Sequence, residues 1–380
     1  MWTFNLIMIF TIVATGFLVG ITPFISRQST PFGVSLPSQY VQDKTIKQLM
    51  KRYAYWIIGI SLLGVLPLLL APYFLSDKET VDDFLLIYSS LAILLQLLVT
   101  FFLYMRYRGE IIRWKQTLPA EALKQKSPIV IDTQYHDKLA TINYKWFFFS
   151  QLAIISVPVI LAILYFDRIP EQIPINWDIN MEVNRSVAKS WLSVLALPAM
   201  QLLMVPVLQF AYYSFIKSRQ KLSPIAPQVS SEKSRLFRVA WSRFFYVITI
   251  LTQLLMSLLF LYSMFIQVGY FDWMIAFILI HLVVTIGSAI YLSIRYGQAG
   301  EKLSLAGDRP EDSQPYFDPE DDSHWLAGMI YYNPDDAAVF VEKRYGIGST
   351  LNMARWQSWL ALLGLLLFVV LTLVLSLSLG

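Results

Sequence analysis

The sequence predicts an all-α polytopic membrane protein of about eight transmembrane helices, with a small cytoplasmic hairpin module between the last two. Three observations carry this. The 380 residues are 56% hydrophobic and 15% charged, with a mean hydropathy of +0.53, too apolar for a chain that must cover itself with charge in water. Eight stretches stay apolar for the roughly 20 residues that a ~30 Å hydrocarbon core demands. The polar segment from Asp322 to Trp359 has the composition of a small folded element and lies between two apolar runs.

The spans fall near 2–23, 54–75, 84–105, 146–166, 190–215, 244–268, 273–294 and 357–379. They divide the chain into a three-helix part with cytoplasmic amphipathic loops, 1–145, and a two-helix part, 146–216, with an outer loop, 167–190. Helices six and seven occupy 217–296, an acidic linker and the hairpin module 297–356, and the last helix 357–380. The first span has no basic leader and no small-x-small cleavage site, so it is expected to be a retained helix.

Of the 30 Lys and Arg residues, 26 fall in one set of connections and four, Lys78, Arg168, Arg185 and Lys189, in the other. By the positive-inside rule the first set is cytoplasmic, which puts both termini outside. Trp2, Trp56, Trp146, Trp191, Trp241, Trp273, Trp356 and Trp359 lie at span ends, where indole prefers the headgroup level. Trp114, Trp177 and Trp325 are expected in loops.

In the first basic loop, Ile46, Leu49, Met50 and Tyr53 share one face of a helix from about Asp43 to Tyr53. Lysines take the other face, the pattern of a helix lying on an anionic leaflet. Ser127 to Ile131 is a candidate strand that could pair with the module. In the module, Met329 to Tyr332 and Ala338 to Val341 are β-prone, and Asn333-Pro334-Asp335-Asp336 has the proline of a type I turn, so a hairpin across that turn is expected. The seven carboxylates from Asp308 to Asp322 are interrupted by Pro310, Pro315 and Pro319. They match no EF-hand spacing and read as a solvated linker.

Polar side chains inside lipid need partners. Gln96, Gln151, Gln201, Gln209, Gln253 and His281 are the candidates: they either glue helices together, or Gln96, Gln201, Gln253 and His281 converge on a polar path. The chain has no cysteine, no zinc-binding histidine pattern, no nucleophile elbow and no phosphate loop. It is therefore expected to be no enzyme, to hold no metal or cofactor, and to bind no nucleic acid.

The outer loop carries Ile173-Pro174-Ile175-Asn176-Trp177-Asp178, with two Ile-Pro steps that favour extended backbone. Ile173, Pro174, Ile175 and Trp177 resemble the core of the SdpI-like family of bacterial integral membrane proteins. Asn176 stands where that family usually has His, and Asp178 where it has Asn. Trp325, Gly328, Tyr331 to Asp336, Phe340-Val341, Lys343 to Gly348 and Thr350 to Asn352 are similar to a C-terminal module of unknown function in a Gram-positive subgroup. Phe32-Gly33-Val34 and Pro37 are similar to the same subgroup.

The resemblance implies a multi-pass protein of the bacterial cell membrane, with immunity to a membrane-active peptide or signalling through a held cytoplasmic regulator. Asn176, Trp177 and Asp178 are expected to contact an extracellular peptide. Trp325, Asn333, Asp335 and Asp336 are expected to serve the module or its partner. The alternative expectation is a transporter or flippase of a small amphiphile.

Overall fold

The computed structural model describes residues 2–75, 78–124, 135, 139–177, 183–223, 225–265, 271–305, 317 and 319–378. It is an α-helical, multi-pass membrane protein in which, among the described residues, eight helices are long and apolar enough to cross a bilayer. Its helices are α1 (Trp2–Ile25), α2 (Lys44–Phe74), α3 (Lys78–Lys115), the short α4 (Ala120–Lys124), α5 (Tyr144–Leu164), α6 (Trp191–Lys217), α7 (Pro227–Phe265), α8 (Phe271–Tyr296) and α9 (Trp356–Ser378). Strands β1 (Gln172–Trp177) and β2 (Val183–Ala188) form one hairpin between α5 and α6. Four short strands, β3 (Trp325–Leu326), β4 (Ile330–Tyr331), β5 (Phe340–Glu342) and β6 (Ser349–Leu351), make the module ahead of α9.

α1, α2 and α3 pack together as one unit, and α5 to α8 as another; α1 also touches α8, and α9 lies along α6. Small residues permit the closest approach: a Cβ on Gly16 of α1 would fall 1.9 Å from Ser61 Oγ of α2, the kind of contact that holds helices together in lipid. Of the 31, 38 and 39 residues of α2, α3 and α7, a ~30 Å core uses about 20. At 1.5 Å per residue these helices measure about 46, 57 and 58 Å. The surplus projects on the side rich in Lys and Arg, where it forms a scaffold outside the lipid.

That surplus changes the expected leaflet helix. Asp43 caps α2 by accepting from Thr45 N at 2.7 Å, and the helix runs unbroken into the span. Ile46, Leu49 and Tyr53 are buried against Val34, Leu36, Tyr107 and Ile111, so the apolar face lies on protein, not on the bilayer. The loop from 26 to 43 folds back over the helix and supplies the missing partner. Trp114 likewise belongs to α3, edge-on to Tyr40 at 6.2 Å, and not to a loop. Trp56, Trp146, Trp191, Trp273, Trp356 and Trp359 are exposed as a lipid-facing belt requires, but Trp241 is buried because it packs on Phe215 of α6 and on Phe237 one turn earlier in α7.

The outer connection is a β-hairpin, with Gln172 opposite Ala188 and Trp177 opposite Val183. Pro174 is accommodated because a two-stranded ribbon leaves its strand an outer edge, and the register shifts just after it. Ile173 anchors the hairpin base in a core with Ala162, Val194 and Phe260, and Ser263 Oγ donates to Pro174 O at 3.1 Å. Asp178 and the candidate strand Ser127 to Ile131 lie outside the described residues.

Candidate functional site

The module is not one hairpin across Asn333 to Asp336. β3 pairs with β4, Trp325 opposite Tyr331, and β5 pairs with β6, Val341 opposite Thr350. Gly328 (φ 73°) permits the first tight turn, and Gly346 and Gly348 (φ 87° and 113°) the second, conformations that a Cβ disfavours. The Asn333 to Asp336 turn instead joins the two hairpins. Asn333 Oδ1 accepts from Asp335 N at 2.9 Å and Asp336 Oδ1 from Ala338 N at 3.0 Å. The turn therefore links two strands, β4 and β5, that pair with other partners and not with each other.

Asn352 closes the module from within. Fully buried, it donates to the carbonyls of Asn333, Asp336 and Ala338 at 2.9, 3.1 and 3.2 Å. It accepts from Asn333 N and Ala354 N at 3.0 and 3.2 Å. Trp325 is buried on Tyr331, with ring centroids 4.9 Å apart, and carries the Arg344 guanidinium over its own ring, 5.2 Å from the centroid. Asp336 accepts from Tyr331 OH at 2.9 Å and pairs with Arg219 at 2.8 Å. Of the four module residues singled out by sequence, Trp325, Asn333 and Asp336 thus hold the module together, while Asp335 is exposed.

The module docks on the first helical unit through backbone. Phe32 and Gly33 both take left-handed conformations (φ 47° and 72°), which brings Gly33 so close to the module that an added Cβ would lie 2.6 Å from Gly328 O. Phe32, fully buried, stacks on Tyr107 and Tyr345 at 5.9 and 5.8 Å. Its carbonyl accepts from Tyr104 OH and Arg108 Nη1, each at 3.1 Å. This accounts for the Phe32-Gly33-Val34 signal in the sequence: it is the seat of the module.

Around that seat runs a network of buried charges. Glu342 of β5 pairs with Arg27, just past α1, and with Arg238 of α7 at 3.3 Å. Arg238 also donates to Ile216 O and Ser218 O at 2.6 and 2.7 Å. Arg344 pairs with Asp321, and with Asp322 at 2.5 Å, and donates to Gly33 O at 3.1 Å. Lys221, after α6, reaches Asp321 at 2.5 Å, and Lys115 of α3 reaches Asp322 at 2.7 Å. One small module is thereby pinned to α1, α3, α6 and α7 at once. Charges this deep hold only as matched sets, since removing one partner strands the other.

The network corrects the reading of the acidic run. Asp321 and Asp322, its last two carboxylates, are structural counter-ions, and Phe317 is buried; Asp308, Glu311, Asp312 and Asp318 lie outside the described residues. Burial alone would raise the Asp321 carboxyl, but the Lys221 ammonium and the Arg344 guanidinium override it and hold it far below the usual carboxylate range. Asp322 is depressed in the same way by Arg344 and Lys115. Burial and the neighbouring arginines bring the Lys221 ammonium down to about 8, against the pull of Asp321.

Depressed carboxylates stabilise the fold above their unfolded value of about 3.9, and that stability is lost as pH falls through the folded values. Unfolding followed by tryptophan fluorescence should show stability declining from about pH 5 downward. The decline should be shallower in Asp321→Asn; equal acid slopes would remove Asp321 from the lock.

The intramembrane polar residues do not converge on one path. Gln96 Nε2 donates to Ile12 O and Ser61 Oγ at 3.2 and 3.0 Å, within α1 to α3. Gln201 donates to Gln253 O and Ser257 Oγ at 2.9 and 3.2 Å, and Gln253 to Gln151 Oε1 at 3.4 Å, within α5 to α7. Gln209 donates to Tyr144 O at 3.2 Å. His281 Nε2 lies 3.3 Å from Thr252 Oγ1, whose own proton goes to Ile248 O, so the imidazole is the donor. These are helix-to-helix bonds in separate places. Gln96→Leu and Gln201→Leu should each cost about 0.6 kcal/mol and add within about 0.5 kcal/mol. Gln151→Leu and Gln253→Leu share a bond and should couple; strong coupling between Gln96 and Gln201 would contradict the two-cluster arrangement.

Fold and site together define a multi-pass α-helical membrane protein with a clamped module on its basic face. The model of a domain of unknown function (DUF1648) matches residues 153–202, and that of a family of unknown function (DUF5808) matches residues 334–359. The first match covers most of α5, the outer hairpin and the start of α6; the second runs from the Pro334 turn through β5, β6 and Asn352 into α9. No curated protein and no solved structure matches the chain.

Proposed function

We propose that this chain is a non-enzymatic protein of the bacterial cell membrane that protects against, or senses, membrane-active peptides. Its module lies on the cytoplasmic side and its termini outside, as the 26-to-4 division of Lys and Arg favours. The observation that carries the reading is the ion-pair lock: Glu342, Asp321 and Asp322 bind cations from both helical units. A movement of one unit against the other is therefore felt by the module.

The outer hairpin is the peptide-facing element in this reading, in keeping with the SdpI-like Ile173-Pro174-Ile175-x-Trp177 sequence. Its base is tied to α7 through Ser263, and α7 carries Arg238 of the lock at its other end. On the module, Leu326, Ile330 and Tyr332 are exposed at 67%, 50% and 55%, an apolar face available to a cytoplasmic regulator. The transporter alternative draws no support from the glutamines and His281, each bonded within its own cluster.

Deleting the gene should sensitise cells to at least one membrane-active peptide, and Trp177→Ala should do so in part while the protein stays folded. Trp325→Ala should loosen the module and release co-purifying protein. A cysteine at Asn176 should react with impermeant thiol reagent in intact cells, and one at Asn333 should not. Unchanged survival together with an unchanged set of co-purifying proteins would defeat the proposal.

A further inference from the structure

A cavity of about 220 Å³ opens beside the lock, between the end of α1, the segment that follows it and the first turns of α2. Phe24, Ile46 and Met50 give it an apolar side, and Lys47 and Lys51 a cationic one; Arg27 closes it toward the lock. The two lysines are exposed and make no ion pair among the described residues. Four apart on one helix, they repel each other, so an anion between them relieves a standing cost.

Depth selects the anion. Trp56, 59% exposed, marks the interface on α2. At 1.5 Å per residue, Lys51 stands about 8 Å and Lys47 about 14 Å farther from the membrane centre. The headgroup layer is about 5–8 Å thick on each side, and lysine stems reach back several ångströms toward it. Reaching back, the two ammonium groups thus meet the phosphate level, and Phe24 and Met50 form an apolar wall beside them at the outer edge of the headgroup layer. The volume is below the roughly 300–1,000 Å³ of sites that enclose a whole drug-sized ligand, which suits a headgroup with the rest of the molecule left in the bilayer.

We propose that this cavity binds the headgroup of an anionic glycerophospholipid from the surrounding leaflet, its phosphate held by Lys47 and Lys51 against the apolar wall of Phe24 and Met50, and its acyl chains left in the bilayer. Because Arg27 lines the cavity and also pairs with Glu342, the bound phosphate adjoins the lock that holds the module. The site rests on the cavity and its charges, independently of any role against peptides.

The test is retention of phosphatidylglycerol by the full-length protein in detergent, followed by native mass spectrometry as the lipid is titrated. Two interfacial lysines at about 1 kcal/mol each correspond to about 30-fold in affinity, so the double variant Lys47→Gln, Lys51→Gln should bind about 30-fold more weakly with an unchanged unfolding midpoint. Met50→Trp fills the cavity with both lysines intact and should lose binding as well. Phosphatidylcholine should be retained far less, and soluble glycerol phosphate should not displace the lipid. Undiminished binding in the lysine variant, equal retention of phosphatidylcholine, or displacement by glycerol phosphate at matched concentration would each overturn the proposal.

Discussion

Replacing Glu342 by alanine should destabilise the protein by about 3–5 kcal/mol, the cost of stranding buried charge. Arg27 and Arg238, at 6% and 1% exposure, share this carboxylate. Arg27 keeps Glu301 at 3.3 Å, but Arg238 is left with two carbonyls and no counter-ion among the described residues. Glu342→Asp should be nearly as harmful, because the shorter side chain cannot span two guanidinium groups. Glu342→Gln should fall between, since it still offers one acceptor but no charge. Denaturant unfolding in micelles measures the loss, and protease cutting within residues 325–352 should appear before the helices melt. A change below about 1 kcal/mol would mean that the module is held by Phe32 and the Gly33 seat, and not by the lock.

Replacing Asn352 by alanine should be of similar size and more local. The side chain satisfies two N–H groups and three carbonyls at full burial. Among the described residues only the Asp336 carbonyl has another side-chain partner, the Arg355 guanidinium, with Nε at 2.8 Å. At about 1–3 kcal/mol for each buried group left unpaired, the loss should reach about 3–5 kcal/mol. Asn352→Asp should fare no better, for a carboxylate would face three carbonyl oxygens. Hydrogen exchange at the amides of Asn333 and Ala354 should accelerate while that of α2 and α7 stays slow. Slow exchange at both amides would show that water or a rearranged Arg355 takes over the role.

The membrane fold was legible because lipid enforces a simple code: a span must be apolar for its full width and satisfy its own backbone. The span ends agree with the helices within a few residues, except where α2, α3 and α7 run past the bilayer. There the code lapses. Beyond the lipid a helix ends where its packing ends, and Ile46, Leu49 and Tyr53 look the same in sequence whether their face meets a leaflet or the folded-back loop that carries Val34 and Leu36. The module was recognised as a folded unit, but its strand pairing was not. A turn such as Asn333-Pro334-Asp335-Asp336 suits a hairpin locally, and only Asn352, nineteen residues after Asn333, decides that the chain crosses instead.

The lock was missed altogether, although every member was in view. Asp321 and Asp322 end an acidic run, and Arg27, Lys115, Lys221 and Arg238 counted only as topology signals. No periodicity links residues more than 300 positions apart, such as Arg27 and Glu342. Composition and hydropathy by themselves determined the number of crossings and the unequal division of charge, because those follow from the solvent that each segment must meet. The tertiary structure alone decided which charges are buried together, because pairing depends on where separate helices bring their ends, and in a low-dielectric interior that placement turns a surface cation into half of an ion pair.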